Sequence, residues 1–92
     1  MTDAPQPRDE LIWELEAVDR LASLVKEYPT TAQAVIPAIY DLATNAFPVG
    51  STPLGGGGIR RLLLGYFRVL YEVTSDPPVV RVILVGRTNN PR

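Results

Sequence analysis

Three runs in the second half of the chain decide the fold: Ile59-Arg60-Arg61-Leu62-Leu63-Leu64, Phe67-Arg68-Val69-Leu70-Tyr71-Glu72-Val73 and Val79-Val80-Arg81-Val82-Ile83-Leu84-Val85. Each has strand length and is rich in the branched and aromatic residues that fit a pleated surface. Thr74-Ser75-Asp76-Pro77-Pro78 separates the second from the third. Such a cluster turns the chain, so these two runs pair as a hairpin, and Gly65-Tyr66 turns the first run into the second. The three together read as a meander.

Side-chain alternation assigns the faces. In the middle strand Phe67, Val69, Tyr71 and Val73 share one side, while Arg68, Leu70 and Glu72 share the other. The first set suits a covering layer, which leaves Arg68 on the uncovered face. Pairing Val73 with Val79 sets Arg81 beside Tyr71 on the covered side, and a slip of one residue reverses that placement.

The covering layer lies upstream. Leu11-Ile12-Trp13 reads as a short edge strand, the alternative being that it opens the following helix. From Glu14 to Glu27, Leu15, Val18, Leu21, Ala22 and Val25 recur at the spacing of one helix face, opposite Glu16, Asp19, Arg20, Ser23 and Lys26. Tyr28-Pro29-Thr30-Thr31 stops this helix and supplies a hydroxyl cap for a second, patterned on Val35, Ile36, Ile39, Leu42, Ala43 and Ala46. So short a link makes an antiparallel helical hairpin. Pro37 predicts a kink or a late regular start in the second helix. Residues 47–58, ending in four glycines, read as a mobile loop.

The predicted architecture is therefore α+β: a short N-terminal strand and a helical hairpin packed on a mostly antiparallel four-stranded sheet, in the order β-α-α-β-β-β. Residues 1–10 are expected to form a flexible arm and residues 11–92 a single domain. Ninety-two residues leave room for no second domain.

Composition excludes several chemistries. The chain has no cysteine and no histidine, which removes disulfides, thiolate metal sites, histidine-based zinc sites and histidine-dependent nucleophilic or ribonuclease mechanisms. No basic start with an apolar core marks a secretion signal, and no apolar run reaches the roughly 18 to 20 residues that span a bilayer. A cytoplasmic protein without a membrane partner is expected.

The net charge of −1 hides an asymmetry. Residues 1–58 carry eight carboxylates against Arg8, Arg20 and Lys26, whereas residues 59–92 carry Arg60, Arg61, Arg68, Arg81, Arg87 and Arg92 against Glu72 and Asp76. Every cation of the second part is arginine, whose planar fork matches phosphate or carboxylate. The plainer alternative is that these arginines solvate the sheet and pair with the acidic helices.

The segment Arg60–Val73, with its Gly65-Tyr66-Phe67-Arg68-Val69-Leu70-Tyr71 motif, followed by Val79–Val85 and Gly86-Arg87, resembles the RelE/ParE family of bacterial toxins. The upstream order of a strand ending at Trp13, two helices and a small-residue loop around Leu54-Gly55 extends the resemblance over residues 11–87. It implies the toxin of a type II toxin–antitoxin system, held in a hetero-oligomer by a cognate antitoxin. Two activities go with the family: ribosome-dependent cleavage of mRNA, a metal-independent endoribonuclease reaction that arrests translation, and inhibition of DNA gyrase. A third outcome is an attenuated, non-catalytic homologue that only binds its antitoxin.

For RNA cleavage the resemblance implies Arg68 and Arg61 as catalytic groups that stabilise charge as the 2′-hydroxyl attacks phosphorus, with Arg60 and Arg87 as further phosphate contacts. No metal and no cofactor is implied. Arginine is a poor proton carrier, so acid and base work would fall to Tyr66 and Glu72. The chain departs from the RNA-cleaving pattern at Leu63 and Thr88, where basic residues are frequent, and in lacking a tyrosine near its C-terminus.

Overall fold

In the computed structural model, which describes residues 10–74 and 79–88, the chain runs β1 (Glu10–Trp13), α1 (Leu15–Glu27), α2 (Pro29–Tyr40), a 3-10 turn (Asp41–Ala43), β2 (Ser51–Pro53), β3 (Ile59–Leu64), β4 (Phe67–Thr74) and β5 (Val79–Arg87). The expected arm lies outside the described residues except for Glu10, which opens β1. The expected turn over 75–78 also lies outside them, but Thr74 pairs with Val79 across its ends.

All five strands form one sheet, ordered β1-β5-β4-β3-β2. The pairs β2–β3, β3–β4 and β4–β5 are antiparallel, and β1 lies parallel to β5 at the edge. The α+β architecture is as the sequence predicts, with five strands rather than four. The extra strand, β2, falls inside the stretch read as loop. Ser51, Thr52 and Pro53 pair with Leu62, Arg61 and Arg60, so the partner strand imposes an extended form that this polar tripeptide does not signal by itself.

The helices cover one face. Phe67, Val69 and Tyr71 of β4, Leu62 of β3 and Val80, Val82 and Val85 of β5 are fully buried against Ala17 and Leu24 of α1 and Val35, Ile39 and Leu42 of the second helical segment. Burial of this apolar surface is the main force holding the layers together. Tyr71 carries its hydroxyl into the core and donates a 2.7 Å hydrogen bond to the Ala46 carbonyl, which satisfies both groups.

Three local expectations are corrected. The buried face of α1 is Ala17 and Leu24, with Leu21 and Val25 at its margin, whereas Leu15 is 74% exposed and Val18 and Ala22 are also exposed. Ala17 and Leu24 lie seven residues apart on one helix face, and that stripe, not the one through Leu15 and Val18, meets the sheet. Tyr28, without a side-chain cap, precedes α2, and Pro29 rather than a threonine starts it. Proline's fixed φ suits a first helical position, where no N–H is required. The helix thus begins early, and it continues through the exposed Pro37 to Tyr40.

The third correction concerns register. Val73 pairs with Val80, and Glu72 with Arg81, up to a β-bulge: Tyr71 faces Val82, while Leu70 faces Leu84. Ile83 is the extra residue. A bulge of this kind shifts alternation by one along β5, so Val82 and Val85 both point to the core. The pairing of Val73 with Val80, rather than with Val79, sets Arg81 on the uncovered face beside Glu72 instead of beside Tyr71.

Candidate functional site: the uncovered sheet face

Cross-strand partners share a face, so the register defines the uncovered surface. Its rows are Thr52–Arg61–Leu70–Leu84, Leu63–Arg68–Gly86 and Ile59–Glu72–Arg81–Ile12. Arg68 is exposed, whereas Leu63, Leu70 and Leu84 are half-buried and form an apolar floor. Arg61 lies opposite Leu70, two residues along from Arg68, the diagonal relation that spaces neighbours by about 7–8 Å, with their Cβ atoms somewhat closer. Two long guanidinium side chains at that spacing can reach one anionic group. The Nε–H of Arg61 is buried without a hydrogen-bond partner among the described residues.

The lower end of the face is closed to such use. Arg81 donates from Nη1 to Glu14 at 2.6 Å and from Nε to Glu72 at 3.2 Å, with Nη2 also on Glu72. The hydrogen bonds to Glu72 first, then the one to Glu14, hold the Arg81 guanidinium above its ordinary pKa. The sign is that of a raised cation. The part of the contribution that depends on Arg81 staying charged is fully present below the ordinary arginine value and is lost only when pH rises past the folded-state value. Glu72, read from sequence as an acid–base candidate, is thereby committed to an ion pair that ties β4 to β5 and, through Glu14, to the start of α1.

The two further arginines expected to bind phosphate stand on the covered side. Arg60 pairs with Tyr71, and its Nη2 donates to the carbonyl and hydroxyl oxygens of Ser51 at 3.3 and 3.0 Å. Its guanidinium lies 4.9 Å from the ring centre of Phe47. Consecutive strand residues point to opposite faces, so Arg60 and Arg61 cannot act together. Arg87 pairs with Phe67 and is clamped between Tyr28, at 4.4 Å, and Tyr66, at 4.9 Å. Tyr66, the other acid–base candidate, sits half-exposed on the β3–β4 turn against Arg87. The structure therefore brings Arg61 and Arg68 together and separates both from Arg60 and Arg87.

A cleft of about 590 Å³ lies away from the arginine pair. It is lined by Thr44, Asn45, Phe47, Arg60, Val73 and the loop glycines 55–58. Among the described residues no cluster of carboxylates is arranged to hold a metal ion, and no helix is long and apolar enough to cross a membrane.

No protein-family model and no curated protein sequence matches the chain. Solved structures do. The isolated RelE toxin of E. coli superposes with a TM-score of 0.73 at 17% identity, over 91% of this chain and 88% of that one. A chromosomal ParDE system from P. aeruginosa gives 0.73 at 17% identity, over 91% and 100%. The RelE–RelB complex from Pyrococcus horikoshii gives 0.73 at 20% identity, over 89% and 97%. The protein has the fold of RelE and ParE toxins. That fold carries both types of toxin and does not choose between them.

Proposed function

We propose that this chain is the toxin of a type II toxin–antitoxin pair, and that it acts by docking its uncovered sheet face on a protein target rather than by cutting RNA. DNA gyrase is the target that resemblance to the ParE branch implies, and an antitoxin is the partner that restrains the toxin. The carrying observation is the make-up of that face. Arg61 and Arg68 rise from the floor of Leu63, Leu70 and Leu84, while Glu72 is spent on Arg81. Arginine among apolar side chains is the composition of an interface centre, and it suits a partner that offers carboxylates within an apolar surface.

A second reading, ribosome-dependent mRNA cleavage, draws on the diagonal spacing of the same two guanidiniums. They would hold a phosphodiester and stabilise its developing charge. Proton transfer would then fall to Tyr66, because arginine does not release its proton and Glu72 is engaged.

Inducible expression in a bacterium, with wild type, Arg68→Ala and Arg61→Ala in parallel, tests both. The proposal expects growth arrest with DNA damage and intact mRNA, loss of gyrase supercoiling with purified protein, and relief by either substitution and by the co-expressed antitoxin. Arrest with mRNAs cut at ribosomes establishes the second reading instead. If wild type causes no arrest, neither toxin reading stands.

A further inference from the structure

Gly86 is the only glycine within a described strand. Glycine weakens a strand interior, and its usual justification is a left-handed backbone. Gly86 has no such backbone: the glycines with positive φ are Gly50, Gly55, Gly57, Gly58 and Gly65. What distinguishes position 86 is its neighbour. A Cβ added there would meet only Arg68, with Nε at 3.6 Å and Cγ at 3.9 Å. Gly86 pairs directly with Arg68 and is buried, although it lies on the face that no helix covers. Its cover includes the stem of Arg68.

On the other side of Arg68, its β3 partner is Leu63. The row Leu63–Arg68–Gly86 is therefore filled at one end and empty at the other, a trough that directs the arginine toward β5. We infer that Gly86 is a positioning residue for Arg68. By withholding a side chain it lets the arginine lie flat across the sheet, which orders the guanidinium before any partner arrives and sets its separation from Arg61. A side chain held in its binding geometry loses less rotamer freedom on association. This inference rests on the proposed role of Arg68 only for its functional consequence; the placement itself stands apart.

The test uses Gly86→Ala and Gly86→Val, alone and combined with Arg68→Ala. An alanine Cβ at 3.6 Å makes an ordinary contact, so alanine should fold and act as a mild variant, while valine should prop the arginine away from the sheet. NMR relaxation of the Arg68 Nε–H group, identified by its loss in Arg68→Ala, is expected to show an ordered side chain in wild type, slightly looser with alanine and clearly mobile with valine. In the growth assay Gly86→Val should require a roughly two- to ten-fold higher inducer dose for arrest, and any drop in melting temperature it causes should disappear when Arg68 is already alanine. An Arg68 group already mobile in wild type, or unchanged by valine, or an effect of valine that persists without Arg68, would overturn the inference. Should valine and alanine loosen Arg68 while Arg68→Ala leaves growth arrest intact, the placement is upheld and it is the functional reading of the face that fails.

Discussion

Tyr71, in the middle of β4, donates to the carbonyl of Ala46 across 25 residues of sequence, and both residues are buried. The bond fastens the segment leaving the helices to the central strand. It is also what permits a tyrosine among side chains that are otherwise apolar. Tyr71→Phe keeps the ring and leaves the Ala46 carbonyl without its partner, at a cost of about 1–2 kcal/mol. For a domain of this size the expected drop in melting temperature is roughly 5–15 °C, read by circular dichroism. An unchanged melting temperature would mean that water replaces the hydroxyl and that the site is not sealed.

Gly58 and Gly56 belong to the same four-glycine run but face different constraints. At Gly58 φ is +83°, and an added Cβ would stand 2.5 Å from the carbonyl oxygen of Val73, whose N–H donates back to the Gly58 carbonyl at 2.9 Å. Backbone presses on backbone there, and neither can swing aside. At Gly56 a Cβ meets nothing within 4 Å, and φ is not positive. Gly58→Ala is therefore expected to cost more than about 2 kcal/mol in urea denaturation. Gly56→Ala should stay within about 0.5 kcal/mol, or stabilise slightly by restricting the unfolded chain. Equal effects at the two sites would refute the close approach of Gly58 to Val73.

Much of this architecture is legible in the sequence because it is written in alternation. Phe67, Val69 and Tyr71 against Arg68, Leu70 and Glu72 fix the faces of β4, and Arg68 emerges on the uncovered side as the pattern requires. The pattern falls silent in β5. From Val79 to Val85 all residues but Arg81 are apolar, so neither the hairpin register that pairs Val73 with Val80 nor the bulge at Ile83 breaks a visible rule, yet the first sets Arg81 beside Glu72 and the second puts Arg87 on the opposite face. The ion pairs of Arg81 are equally hidden, since Glu14 lies 67 residues away in sequence. The α1 face is misread for a different reason: Leu15, Val18, Leu21, Ala22 and Val25 fit a helical stripe, but so do Ala17, Leu21 and Leu24, and spacing alone does not say which of two overlapping apolar stripes the sheet covers.

Arg87 is where stability and function can be told apart. Its guanidinium, between the rings of Tyr28 and Tyr66, joins the end of β5 to the junction of the two helices and to the β3–β4 turn, and Tyr28 packs edge-on against the buried Phe67 at 6.1 Å. Two such stacks contribute about 0.5–1 kcal/mol each at partly exposed sites, so Arg87→Ala should cost about 1–2 kcal/mol. Arg87→Lys should recover little, because an ammonium has no planar face to stack. Arg68→Ala, at an exposed position, should leave stability within about 0.5 kcal/mol. Thermal melts of the three variants check the stability order. Growth arrest per folded molecule should then survive Arg87→Ala and be lost with Arg68→Ala. If Arg87→Ala melts with wild type and still abolishes arrest, the clamp is not what Arg87 is for, and the residue contacts the target from the covered side of the sheet.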